Sequence, residues 1–245
     1  MSELVLPLEL SLDVSLAGGK GASLARLLDA GFNVPPGFVI TTASKSLDKQ
    51  LEAEILAAFD KLGAKYVAVR SSAAAEDGAK DAWAGQLDTF LNVTRDKLLE
   101  KIKLCLDSNE SERAKSYAEQ KQINSGAVAV IVQKMVPSEI SGVAFSAHPV
   151  TNSLDQVVIE AVTGLGEDLV SGRVTPDTYV ANKRSGEVIE KHLASSQVLN
   201  QTQIKTICEE VRLIEKSFGF PVDVEWTLSE DKLFILQSRP ITTLG

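Results

Sequence analysis

The chain has 245 residues, 44% hydrophobic and 24% charged, enough to bury a core as one large domain or as two lobes. Only 5% is aromatic, with tryptophan at Trp83 and Trp226 alone, so alanine, valine and leucine build the interior, as in a mixed α/β protein rather than an all-β sandwich. A net charge of −8 from 33 acidic and 25 basic residues excludes the basic face of a nucleic-acid binder, and Cys105, Cys208, His148 and His192 are too few for a disulfide framework or a histidine-rich metal site. The first residues lack the basic and apolar regions of a signal peptide, and no apolar run approaches the length of a membrane span. The expectation is a soluble cytoplasmic protein without nucleic-acid or membrane partners.

Gly18-Gly19-Lys20-Gly21 opens a predicted helix, Ala22 to Ala30, with Leu24, Leu27 and Leu28 at helical spacing and Gly31 as its stop. Two glycines let the backbone approach a ligand, and a helix N-terminus favours an anion. A P-loop would need Ser or Thr after the lysine, and Gly21 stands there; an exposed lysine beside a turn is the equal alternative. A strand is expected at Phe38 to Ile40, and a helix from about Ala43 to Leu62 with Leu47, Leu51, Ile55 and Phe59 on one face.

Tyr66 to Val69 reads as a strand that delivers Arg70 at its end, where a guanidinium fork suits phosphate oxygens; a pair with Glu76 or Asp77 explains it equally well. The small, acidic stretch Ala73 to Gly85 predicts a mobile loop. Thr89 to Val93 reads as a strand, and two helices fill Arg95 to Gln122. From Gly126 onward strands dominate, at Ala127 to Val132, Gly142 to Phe145, Val157 to Ala161 and a hairpin from Asp177 to Lys191. A helix-rich first half and a strand-rich second half predict two lobes, residues 1–132 and 133–245. Gly164-Leu165-Gly166-Glu167 reads as a tight turn and His148 as surface structure.

The last hairpin, Val222 to Arg239, follows a helix at Gln201 to Phe218. Pairing Trp226 with Leu236 buries both apolar sets, and alternation then sets Glu225 opposite Gln237 and Asp223 opposite Arg239. Carboxylate and amide oxygens are hard ligands of the kind Mg²⁺ takes, and arginine adds a phosphate clamp. A solvated outer face with a cross-strand Asp–Arg pair accounts for the same pattern.

Together these segments resemble the ATP-binding domain of the pyruvate phosphate dikinase and phosphoenolpyruvate synthase family. The resemblance runs through Gly18-Gly-Lys-Gly-Ala-Ser-Leu24, Ala30 to Thr42, Val67-Ala-Val-Arg-Ser-Ser72 and Ala84 to Val93. It continues through Val132-Gln-Lys-Met-Val136, Gly164 to Gly172 and Ile235-Leu-Gln-Ser-Arg-Pro-Ile-Thr242, covering nearly the whole chain. Rifamycin phosphotransferases carry a similar domain.

The resemblance implies a two-lobed ATP-grasp-type α/β (α+β) fold with adenine held between the lobes. It implies that Lys20 and Arg70 hold phosphates, that Gly85 and Thr89 lie at the phosphate-covering loop, and that Gln133, Met135 and Val136 meet the adenine edge. Glu225 and Gln237 would hold Mg²⁺, with Arg239 on phosphate. ATP would phosphorylate a histidine on a separate swivelling domain, giving AMP and phosphate, with Lys20, Arg70 and Arg239 as the catalytic cations. Phosphoryl transfer asks a protein mainly for positioning and charge neutralisation.

The sequence departs from the family in four places. The Thr42–Val67 interval is short, and Ala73-Ala-Ala-Glu-Asp77 lacks a threonine. His148-Pro149 replaces an Asp- or Asn-Pro, and the chain stops at Gly245, so the histidine-bearing domain is expected in trans or in a longer chain. A non-catalytic nucleotide-binding or sensing module and the ATP domain of an antibiotic phosphotransferase are the alternatives.

Overall fold

Strand-forming runs of valine, isoleucine and alanine assemble into two separate antiparallel sheets, one in each of two units. In this computed structural model the first unit is Met1–Asp29 with Pro35–Met135, and the second is Ala30–Val34 with Val136–Gly245. The structure describes residues 4–44, 46–73, 89–107, 128–194, 197–242 and 244.

The first unit contains β1 (Val5–Pro7), α1 (Val14–Asp29), β2 (Gly37–Ile40), α2 (Lys49–Leu62), β3 (Val67–Ala73), β4 (Thr89–Val93), α3 (Leu98–Asp107) and β5 (Val128–Lys134). Its sheet order is β1-β2-β5-β3-β4. Alternation gives the sheet two different faces. Phe38, Ile40, Val67, Val69, Val130 and Val132 form one core with Leu51, Ile55 and Phe59 of α2 and Leu98, Ile102 and Cys105 of α3. Spacing by four puts the α2 residues on one stripe, each contributing roughly 1.5–3 kcal/mol by burial. Asp48 caps α2 by accepting from the Leu51 amide at 2.8 Å, which sets its start at Lys49 rather than near Ala43.

The other face packs against α1, where a side chain added at Gly21 would touch Val39 and Ile131. Gly18 breaks the helical path of α1 with φ +70°. A Cβ there would sit 2.3 Å from both the carbonyl and the hydroxyl oxygen of Ser72, so only glycine lets this turn lie against β3.

The second unit contains β6 (Ile140–Phe145), β7 (Gln156–Thr163), the short α4 (Glu167–Val170), β8 (Asp177–Asn182), β9 (Val188–His192), α5 (Gln201–Phe218), β10 (Val222–Ser229) and β11 (Lys232–Pro240). The sheet order is β11-β10-β6-β7-β8-β9. A capping box between Asn200 and Gln203 starts α5 and Gly219 ends it. Ile204, Ile207, Val211, Ile214 and Phe218 form its buried stripe, over the sheet face that carries Tyr179, Val224 and Trp226. No described helix is long and apolar enough to cross a membrane.

Four expectations change. β5 pairs with β2 and β3, so Gln133 and Met135 belong to the first unit and the division falls after Met135 rather than Val132. Ala30–Val34 joins the second unit through Asn33, whose side-chain amide donates to the Leu233 carbonyl at 2.7 Å and whose carbonyl accepts from the Ile235 amide at 2.9 Å. β3 runs on to Ala73, which puts Arg70 within a strand rather than at its end. A bulge between Glu225 and Trp226 sets Ile235, not Leu236, opposite Trp226. The expected loop at Ala73 to Gly85, apart from Ala73, and the second helix before Gln122 lie outside the described residues.

Candidate functional site

In the first unit, strand alternation gathers the expected phosphate and nucleotide residues on one side. Arg70 pairs directly with Thr89 on β4 and with Ile131 on β5, and directly paired residues share a face. That face also carries Ser72 and Gln133, and it is the face on which α1 packs. Lys20 follows the break at Gly18, and its ammonium reaches the Ser71 carbonyl at 3.5 Å. The Ser72 hydroxyl accepts from the Gly21 amide at 3.2 Å, tying the glycine turn to β3. Lys20, Arg70 and Thr89 are thus brought to one face, while Gly85 lies outside the described residues.

Gln133 is 2% exposed and donates its amide to the Pro35 carbonyl at 3.2 Å. The backbone amides of Lys134 and Met135 donate to Pro36 and Tyr66. This stretch is therefore pinned within its own unit, and the next residue, Val136, begins the second unit.

In the second unit the hairpin of β10 and β11 keeps the expected pairs: Glu225 faces Gln237 and Asp223 faces Arg239. Arg239 holds Asp223 through its Nε and Nη2, both 2.8 Å from Oδ2. Asp223 is nevertheless buried, and its carboxyl is pushed above the usual carboxylate range by that burial, which with the neighbouring Glu225 charge outweighs Arg239. The row extends past the hairpin. Glu225 pairs with Val143 on β6, and Val143 with Glu160 on β7, so the two glutamates share a face roughly 10 Å apart, two strand spacings. Burial, and then the Asp223 charge, raise the Glu160 carboxyl too.

Glu160 and Asp223 are the residues that sequence reasoning passed over. Asp223 was read as half of an ordinary cross-strand pair. Glu160 interrupts the apolar run Val157–Val162, and a lone carboxylate inside a buried strand was the signal available.

The donor set suits a hard divalent cation. Gln237 is 6% exposed and stands directly opposite Glu225, so an amide oxygen and a carboxylate lie side by side on one face. Among the described residues no three His, Cys, Asp or Glu side chains converge as a closed metal cage. Mg²⁺ does not require one: it is commonly held by one or two protein oxygens together with substrate phosphates, which is what Glu225 and Gln237 offer.

His148 has a structural task. Its Nδ1 accepts from the Val150 and Thr151 amides at 3.2 and 3.3 Å, as an Asp or Asn oxygen does in such turns. Both cysteines are buried and free of a disulfide.

The chain matches the family described as pyruvate phosphate dikinase, AMP/ATP-binding domain, over residues 43–199 and 191–245. It is 36% identical to the probable phosphoenolpyruvate synthase of Methanocaldococcus jannaschii, covering 95% of this chain and 26% of that protein. It is 32% identical to the phosphoenolpyruvate synthase of Pyrococcus furiosus, over 95% and 42%, and 34% identical to the uncharacterized phosphotransferase YvkC of Bacillus subtilis, over 94% and 34%. The chain thus spans less than half the length of these relatives. A solved D-alanine–D-alanine ligase from Helicobacter pylori overlays 92% of this chain and 54% of its own at 10% identity and a TM-score of 0.48. With matching segments that together reach most of its length, the chain belongs to the pyruvate phosphate dikinase AMP/ATP-binding domain family.

Proposed function

We propose that the chain binds ATP with Mg²⁺ in an ATP-grasp manner and phosphorylates a histidine on a domain supplied in trans or by a longer chain, releasing AMP and phosphate. The observation that carries this reading is the hairpin pairing of Glu225 with Gln237 beside the Asp223–Arg239 ion pair. Lys20 and Arg70 supply phosphate-binding cations from the first unit, with Thr89 paired beside Arg70. Gln133 fixes the strand whose continuation, Met135 and Val136, presents backbone to the adenine. Glu225 and Gln237 hold the metal, which would neutralise phosphate charge, and Arg239 adds a guanidinium for the phosphoryl oxygens.

No protein nucleophile or acid–base pair is needed on this chain, because phosphoryl transfer draws on positioning and charge. Relatives named as phosphoenolpyruvate synthases support a phosphohistidine that serves pyruvate as acceptor.

Calorimetry of ATP·Mg²⁺ binding tests the reading. Arg239→Ala removes a charge-assisted contact of about 1.5–3 kcal/mol, hence roughly 10–100-fold in affinity. Glu225→Gln is expected to weaken binding with Mg²⁺ more than binding of ATP alone. Affinities unchanged in both variants would remove these residues from the site.

A further inference from the structure

The second unit has a basic cleft that the nucleotide site does not use. The β8–β9 turn and α5 enclose a cavity of about 120 Å³, lined by Lys183, Arg184, Lys205 and Arg212 against a single carboxylate, Glu209. In a chain of net charge −8 this is a local excess of cations. Lys183 is neutralised by Glu215 at 2.9 Å. Arg184, Lys205 and Arg212 form no ion pair with a described residue. Lys205 and Arg212 lie seven residues apart, two helical turns, and so share one side of α5. The turn brings Arg184 to the same hollow.

Side-chain and backbone hydrogen bonds fix the turn beside the helix. Asn182 accepts from the Arg184 and Ser185 amides, each at 3.0 Å. The Gly186 amide donates to the Asn182 carbonyl at 2.8 Å, and the Gly186 carbonyl accepts from Gln201 at 2.9 Å. Gly186 has φ +68°, and a Cβ there would stand 3.0 Å from the Lys205 side chain and 3.1 Å from its Cα, so the turn is seated on the helix. Cys208 also lines the hollow, and burial pushes its thiol up to about 12, so Glu209 is the one acidic group in the wall that carries charge at neutral pH. With Glu209 as the single carboxylate beside them, Arg184, Lys205 and Arg212 leave the concave surface net positive, which attracts a small anion. The volume is below the roughly 300–1,000 Å³ of drug-sized ligand sites.

We propose that this cleft binds a small oxyanion, the phosphate group of either free inorganic phosphate or a small phosphorylated metabolite. Arg184 and Arg212 hold the oxygens and Lys205 adds charge. The cleft lies on the α5 side of the sheet, while Glu225 and Gln237 face the other side, so the anion is separate from the nucleotide phosphates.

Amide NMR of the full 245-residue chain tests this at a local reporter. Inorganic phosphate and glycerol phosphate are titrated separately, with sodium chloride at matched ionic strength as control. The Gly186 and Lys205 amides are expected to shift with half-saturation on the order of 1 mM, more tightly for whichever source the site serves, and not with chloride. Arg212→Gln, and independently the exposed-turn variant Arg184→Gln, should each weaken the response about tenfold, while Arg239→Gln should leave it. Amides that stay still up to 20-fold above that concentration (roughly 20 mM), or a response that survives both Arg184→Gln and Arg212→Gln, would overturn the proposal. Since the reporter is Gly186, failure of ATP binding and failure of this site are read separately.

Discussion

The two units treat their acidic groups in opposite ways. In the first, Asp60 lies at the surface, where the Arg95 hydrogen bond at 2.6 Å holds its carboxyl below the usual range, and Glu100 is held down by Lys101 and then Lys97. In the second, Asp223 and Glu160 lie inside a sheet face and are pushed up by burial. An acid buried with its affinity for protons raised is costly to the fold unless something positive joins it. Acids paired at the surface and acids buried in the sheet thus differ in the sign of their shifts, because burial in the second unit outweighs even the ion pair that Asp223 makes with Arg239.

The largest expected effect tests whether the cation face depends on backbone contact. Gly18→Ala forces a Cβ into Ser72 at a positive φ, and chemical denaturation should show a loss of about 3 kcal/mol. Gly63→Ala, at φ +61° with nothing within 4 Å, should cost about 1 kcal/mol. Equal losses would mean that strain alone, not the approach to β3, explains Gly18.

Next comes the interior ion pair of the second unit. Lys183 and Glu215 have side chains 11% and 21% exposed, and Lys183→Met, which strands the carboxylate, should cost about 2 kcal/mol in the same measurement.

The acids provide a pH test of the contrast. Glu160 binds its proton more tightly folded than unfolded, so its contribution to stability falls as pH rises from the ordinary glutamate range through the raised folded value. Glu160→Gln removes that loss, and its stability relative to wild type should increase from pH 4 to pH 7. Asp60 has the reverse sign: its contribution is present above its unfolded pKa and is lost as pH falls through the lowered folded value. Asp60→Asn should therefore be felt at neutral pH and vanish in acid, as the smallest effect of the set. Parallel pH trends for the two variants would erase the comparison.

Much of the second unit was legible because its signals are local. The pairing of Glu225 with Gln237 and of Asp223 with Arg239 follows from alternation across one turn, and the helix expected at Gln201 to Phe218 is α5. The bulge was not legible, since Phe234, Ile235 and Leu236 are all apolar and the pattern cannot say which is extra. The end of β5, Gln133 and Lys134, was cut from its strand because a run of valine and isoleucine announces a strand without naming its partners or its last residue. Ala30–Val34 belongs to the second unit through bonds to Leu233 and Ile235, about 200 residues away in sequence, beyond any periodicity. Glu160 could be seen as a carboxylate in a buried strand, but its place beside Glu225 needed β6 between them.

The bulge at Glu225/Trp226 has a consequence for how this hairpin can change over time. One surplus residue gives the two ends of β11 separate registers. The end that packs around Trp226 is set by its own buried side chains, Trp226, Leu228 and Ile235, while Gln237 and Arg239 stay opposite Glu225 and Asp223. Removing Leu236 would fuse the registers, so that every adjustment in the hydrophobic half would be passed on to the polar half. The irregularity lets one hairpin satisfy two separate demands, close packing at one end and polar pairing at the other.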